Sequence, residues 1–204
     1  VGRNRSGEMV EFGNINAYIN FHEVVPDVDD AGQDAAQDTT RQKSRLLMGF
    51  TRALGQAVKH IRGPQIKTAR NMFVLPILEP ESEAWFAQNL DDFLAAYDWT
   101  VPMAMPLMES VPIDASQAWL TRLVQAVARR PGALKKTIFE LQARDWNRRQ
   151  QNAIPDQQLA DWMRLLRLNG VKNYGYYPDD FINNQPDISR IRPQFSSWWY
   201  PDHD

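Results

Sequence analysis

Carboxylates and flat aromatic rings recur where hydropathy places the ends of strands. One stretch ends in His22-Glu23 and runs on through Asp27, Asp29 and Asp30. A second carries Arg70-Asn71, and a third ends in Met105-Pro106 with Glu109 just beyond. A fourth holds Glu140, Gln142, Arg144, Asp145 and Trp146, and a fifth ends in Tyr174, Tyr176, Tyr177, Asp179 and Asp180. Aromatic faces stack on sugar rings, and carboxylates bind hydroxyls, amines or protons. The combination points to a carbohydrate groove. Cleavage in such a groove needs two carboxyl groups, an acid of raised pKa and a nucleophile or base. They stand about 5 Å apart in retaining enzymes and about 6.5–9.5 Å apart in inverting ones. The carboxylates available at these ends include Asp27, Asp29, Glu109 and Glu140. The sequence does not say which is acid and which is base.

Each residue also has a plain reading. Glu140 follows apolar Ile138 and Phe139 in mid-strand and could face solvent, yet a buried parallel strand leaves few solvated positions. The tyrosine cluster is also explained by β-propensity. The stretch from Asp27 to Asp38 reads as a solvated acidic loop. A metal centre has little support, because the three histidines stand at 22, 60 and 203 and form no ligand pair. No Gly-x-Ser-x-Gly and no glycine-rich phosphate loop is present.

The elements that must position these groups follow from periodicity. Strands are expected at Asn16–His22, Lys67–Pro76, Trp99–Pro106, Lys136–Arg144 and Val171–Pro178. Helices are expected at Lys43–Ile61, Glu81–Tyr97, Asp114–Arg130 and Pro155–Leu168. The first helix has Leu46, Leu47, Phe50, Leu54, Ala57, Val58 and Ile61 at 3-4 spacing, and the second turns Trp85, Phe86, Leu90, Phe93 and Leu94 inward. Five strands alternating with four helices make an α/β protein with parallel strands and right-handed crossovers. Either an open doubly wound sheet or part of a (β/α)8 TIM-type barrel fits. A full barrel takes about 250 residues, so 204 residues with five strands would be just over half of one.

Composition narrows the classes. Lys and Arg total 23 against 25 Asp and Glu, which leaves no charge surplus for a nucleic-acid partner. There is no cysteine, so thiol catalysis, disulfides and zinc ribbons are excluded. No apolar run reaches the ~18 residues of a membrane-spanning helix. The start, Val1-Gly2-Arg3-Asn4, lacks an initiator Met and a signal segment, as expected of a mature fragment or a chain cut from something longer.

Several runs are more specific. They are Ile61-Arg-Gly-Pro-Gln-Ile-Lys-Thr-Ala-Arg-Asn71, Glu79-Pro-Glu-Ser-Glu-Ala-Trp-Phe-Ala-Gln-Asn89, Tyr97-Asp-Trp99 and Met103-Ala-Met-Pro106. To these add Glu140-Leu-Gln-Ala143, Leu168-Asn-Gly-Val-Lys-Asn-Tyr-Gly-Tyr-Tyr-Pro-Asp179 and Trp199-Tyr-Pro201. Together they closely resemble the C-terminal domain of the poly-β-1,6-N-acetyl-D-glucosamine N-deacetylases of Gram-negative biofilms, over about residues 43–204. The resemblance implies a glycoside-hydrolase-like (β/α) barrel that binds the partly deacetylated polymer and, in studied members, cleaves it. It also implies a periplasmic, outer-membrane-associated setting and an outer-membrane export porin as partner. The metal-dependent deacetylase site belongs to the family's other domain, so neither that metal nor any cofactor is expected in this chain.

Residues 1–42 are a divergent segment with one strand and the acidic loop. Two alignments of it stand open. In one, Phe21-His22-Glu23 and Asp27-Val-Asp-Asp-Ala31 match the family's Phe-His-Asp-Asp strand and the acidic stretch after it. Asp27 then takes the catalytic position and Asp29 its acidic neighbour. In the other, the segment matches the deacetylase domain's first strand. The resemblance places Trp85, Trp146 and Tyr177 in the sugar groove; the residues alone add Glu109, Asp145 and Tyr176 as substrate contacts. Endo-hydrolysis of the polymer, a non-catalytic polymer-binding module and a truncated fragment are the readings carried forward.

Overall fold

The structure, a computed structural model, describes residues 2–3, 9–10, 30–146 and 152–195. A two-residue pairing comes first, β1 (Gly2–Arg3) antiparallel to β2 (Met9–Val10). Then follow α1 (Asp30–Arg62), β3 (Ala69–Met72), α2 (Leu75–Leu78), α3 (Glu83–Phe86), α4 (Leu90–Ala96) and β4 (Trp99–Ala104). The chain ends with α5 (Ile113–Ala128), β5 (Phe139–Gln142), α6 (Asp156–Leu168), β6 (Tyr174–Tyr177) and α7 (Ile188–Ile191).

Strands β3, β4, β5 and β6 form one sheet in chain order, every pairing parallel. An order that never reverses is that of a barrel segment rather than a doubly wound sheet. These are four of the five expected strands; Asn16–His22 lies outside the described residues. Pro102 of β4, which has no N–H to give, falls between the Thr100–Thr137 bridge and the Met103–Glu140 pair, where the ladder to β5 is interrupted.

The pleat divides the sheet into two faces. Phe139 and Leu141 point to the helix layer and are wholly buried with Leu120, Leu123, Val127, Leu159, Trp162 and Leu166. The Trp162 indole N–H donates to Ser116 Oγ at 2.9 Å, so α5 and α6 meet without a stranded donor. Asn71, Glu140, Gln142 and Tyr177 alternate onto the opposite face.

Three expectations change. The acidic loop is helical from Asp30, because α1 begins there, in a stretch with Ala31, Ala35 and Ala36 to favour it. The single helix over Glu81–Tyr97 is broken. Ala87 takes a left-handed conformation at φ 50°, and Asn89 caps α4 by accepting from the Asp91 and Asp92 amides at 3.0 and 3.2 Å. That break shifts the helical phase, so Trp85 is 66 % exposed rather than inward, while Leu90 and Phe93 are buried.

The third concerns α1, whose inward stripe is the small and polar one. Ser44 donates to Glu83 at 2.8 Å, Met48 is buried and Thr51 pairs with Tyr97. Gly55 lies against the methyl of Thr68, where a Cβ would come within 3.3 Å. The apolar residues Leu46, Phe50, Leu54, Val58 and Ile61 face out, 47–77 % exposed.

Candidate functional site

At the carboxyl ends of β3 to β6 a cleft of about 350 Å³ is lined by Asn71, Met103, Met105, Met108, Glu140, Trp146 and Tyr177. Strand register builds it. Glu140 lies beside Met103 on one side and Gly175 on the other, and Gln142 lies beside Tyr177. Gly175 presents no side chain, which leaves the space over Glu140 open on that flank. Asn71 Nδ2 donates to Glu140 Oε2 at 3.0 Å across 69 positions of sequence.

Glu140 is the carboxylate lining this cleft among the described residues. Burial against the methionines pushes its pKa above the ordinary carboxylate value, and the bond from Asn71 does not cancel that effect. Trp146 and Tyr177 form the wall, their rings stacked 6.0 Å apart at 28°. Tyr177 is 55 % exposed, so an aromatic face is open to solvent.

The supports beneath are hydrogen bonds between loops. Fully buried Gln142 accepts from the Leu107 amide at 3.0 Å and donates to the Arg144 carbonyl at 2.7 Å. It thus couples the loop carrying Met108 to the one carrying Trp146. The Ala143 amide donates to the Tyr177 carbonyl at 2.8 Å. Asp145 and Ala143 are each tied back, to Asn152 and Ile154, at 2.8 and 2.9 Å. The backbone just before Trp146 is therefore tied to residues 152–154.

Of the expected site residues, the structure brings Glu140, Trp146 and Tyr177 together. Asp145 is only 7 % exposed and is engaged within the protein, so it does not line the cleft. Tyr176 alternates to the other face, where it packs on Phe195 at 5.9 Å and donates to Asp179 at 3.0 Å; burial and that acceptor push its pKa up to about 12. Glu109 follows Met108 but is not part of the lining. Burial and the charge of Glu79 raise its pKa. Trp85, on α3, is likewise not part of the lining. Asp27 and Asp29 lie outside the described residues. Asn71, Met103, Met105 and Met108 are not among the expected site residues, although Asn71 and Met105 fall in the expected strand ends. The argument that marks Glu140, a polar residue inside a parallel strand, applies equally to Asn71.

The arrangement can hold one face of a sugar ring against the Trp146–Tyr177 wall and rest its apolar edge on the thioethers. A protonated Glu140 can donate to an oxygen there, and an ionised one can accept from a hydroxyl or ammonium.

Three comparisons with known proteins agree with one another. Residues 14–177 match the family model described as hypothetical glycosyl hydrolase family 13. The chain is 58 % identical over 165 residues to the poly-beta-1,6-N-acetyl-D-glucosamine N-deacetylases of Escherichia coli strains K12 and O157:H7. The match covers 80 % of this chain, which spans about a quarter (25 %) of the length of those relatives. The chain is also similar to the solved PgaB (BpsB) glycoside hydrolase domain from Bordetella bronchiseptica. The TM-score is 0.74 and the identity 43 %, covering 81 % of this chain and 46 % of that one.

Proposed function

The chain belongs to hypothetical glycosyl hydrolase family 13, and from that premise we propose that its cleft binds partly deacetylated poly-β-1,6-N-acetyl-D-glucosamine and hydrolyses it internally. The observation that supports this reading best is a half-buried carboxyl of raised pKa, held by Asn71, facing a solvent-open stacked aromatic wall. A carboxyl whose pKa burial raises is better suited to give its proton to a glycosidic oxygen. Glu140 is the proposed acid in this cleft. The second carboxyl is assigned to Asp27, with Asp29 beside it. Deacetylated units are cationic, and the net charge of −2 does not oppose their approach. The periplasmic setting and the outer-membrane export porin belong to the same proposal. No helix among the described residues is long and apolar enough to cross a membrane.

A binding-only reading has its own observation in favour: Glu140 is the lone carboxylate lining the cleft among the described residues, and hydrolysis uses two. The test separates the readings. Defined β-1,6-linked glucosamine oligomers, partly N-acetylated, are incubated with the wild type, Glu140→Gln and Asp27→Asn. Products are read by mass spectrometry and binding by calorimetry. Hydrolysis predicts fragments from the wild type and none from either variant, with binding retained. Binding without fragments leaves the binding module, and a wild type that does not bind any oligomer ends both.

A further inference from the structure

Past β6 the chain turns back on itself in a hairpin whose tip is apolar and open to water. Asp180 and Gln185 exchange both backbone hydrogen bonds at 2.9 Å, which closes residues 181–184 into a four-residue tip. The Asp180 carboxylate accepts from the Asn183 amide at 3.2 Å and from its side chain at 2.8 Å. Further along, Asn184 donates to Asp187 at 3.1 Å, and the Asp187 amide donates to Asp156 of α6 at 3.0 Å. Every one of these bonds braces the polar residues of the hairpin. What they hold out is Phe181 and Ile182, 82 % and 80 % exposed. A loop that only had to turn would carry polar residues there; a braced loop presenting two large apolar side chains is built for contact.

The position of the tip identifies the contact. Phe181 follows Tyr177 of the aromatic wall by four residues, so the two lie within about 14 Å even on a fully extended chain. Arg144, two residues before Trp146, forms an ion pair with Asp180 at the hairpin base, 3.7 Å apart. The turn bearing Trp146 and the hairpin bearing Phe181 are therefore fastened together on the same rim. The cleft itself is at the small end of ligand sites, which run about 300–1,000 Å³. A polymer threaded through it must continue along that rim.

Building on the reading of the cleft as a sugar groove, we infer that Phe181, backed by Ile182, is a further stacking platform that holds the polysaccharide beyond the Trp146–Tyr177 wall. It adds affinity in proportion to chain length. The carboxylates of Asp179 and Asp180, which precede it in the chain, favour a unit carrying a free ammonium, which can also lie over the Phe181 ring.

The experiment is a length series. Partly deacetylated β-1,6-glucosamine oligomers from the dimer to the octamer are titrated by calorimetry into the wild type, Phe181→Ala and Phe181→Trp. Thermal melting checks that the variants fold. In the wild type, affinity should rise with length. Phe181→Ala should flatten that rise, weakening the longest oligomers by about fivefold or more, and Phe181→Trp, which keeps a flat face, should restore it. A Phe181→Ala series that overlays the wild type overturns the inference and assigns the tip to another contact, such as a protein partner. Wild-type affinity independent of length overturns it as well. A wild type that binds no oligomer at all instead defeats the sugar-groove reading on which it rests.

Discussion

Glu140 is a carboxyl whose charged form the fold disfavours. Its pKa lies above the ordinary value because burial penalises the charged form. The consequence for stability has a definite sign. Ionisation costs more in the folded protein than in the unfolded chain, so stability is complete at low pH and falls as pH rises through the folded pKa. Glu140→Gln removes the ionisation and keeps an acceptor for Asn71. Its melting temperature should match the wild type near pH 4 and exceed it at pH 7 to 8. Equal melting temperatures across that range would show that Glu140 ionises as freely in the fold as in water.

Asp98 sits at the opposite electrostatic extreme and ties three elements together. The Thr68 amide and hydroxyl donate to its carboxylate at 2.9 and 3.0 Å, and Lys59 of α1 and Lys67 each approach to 3.3 Å. The end of α1, the start of β3 and the start of β4 thus meet on one carboxylate. The Thr68 hydrogen bonds, ahead of the two lysines, hold its pKa well below the usual range. A depressed carboxylate pKa stabilises in full above the unfolded value of about 3.9, and that stability is lost as pH falls from there through the folded value. Asp98→Ala should therefore lower the melting temperature at pH 7, and the difference should shrink steadily below pH 4. A loss that is the same at pH 3 and pH 7 would mean that the lost packing, not the charge, was what mattered. The Asn89-Leu-Asp-Asp run is a legible N-cap with acids in the first turn. The break before it turns on the left-handed Ala87, which no side-chain rule anticipates.

At the scale of the whole molecule, one flank is open among the described residues. The apolar stripe of α1 faces out, and β3 pairs with β4 alone among the described residues. Five large apolar side chains in a row exceed what isolated surface residues need. Replacing Leu46, Phe50 and Leu54 by Ser, Gln and Lys should reduce binding of a hydrophobic dye and reduce self-association in sedimentation. Melting should move little. A drop of many degrees instead would show that the stripe is part of a core.

How much of this was legible depends on whether local pattern or long-range packing decides the outcome. Strand–helix alternation, the four parallel strands and the polar residues at their ends follow from periodicity, because a strand buried on both faces leaves no other place for a glutamate such as Glu140. The family words between residues 61 and 179 carried the resemblance for the same reason, since they are contiguous. Pattern alone could not say which face of α1 turns inward. There the small side chains of Ser44 and Gly55 admit close packing against Glu83 and Thr68, and shape outweighs hydrophobicity. Nor could it separate Tyr177 from Tyr176, or Trp146 from Asp145. Each pair is adjacent in sequence, and a one-residue step in an extended chain reverses the face. Register between β5 and β6 puts Tyr177 rather than Tyr176 on the face of Glu140, and the loop after β5 brings Trp146 rather than Asp145 to the cleft, both through hydrogen bonds that local pattern does not show.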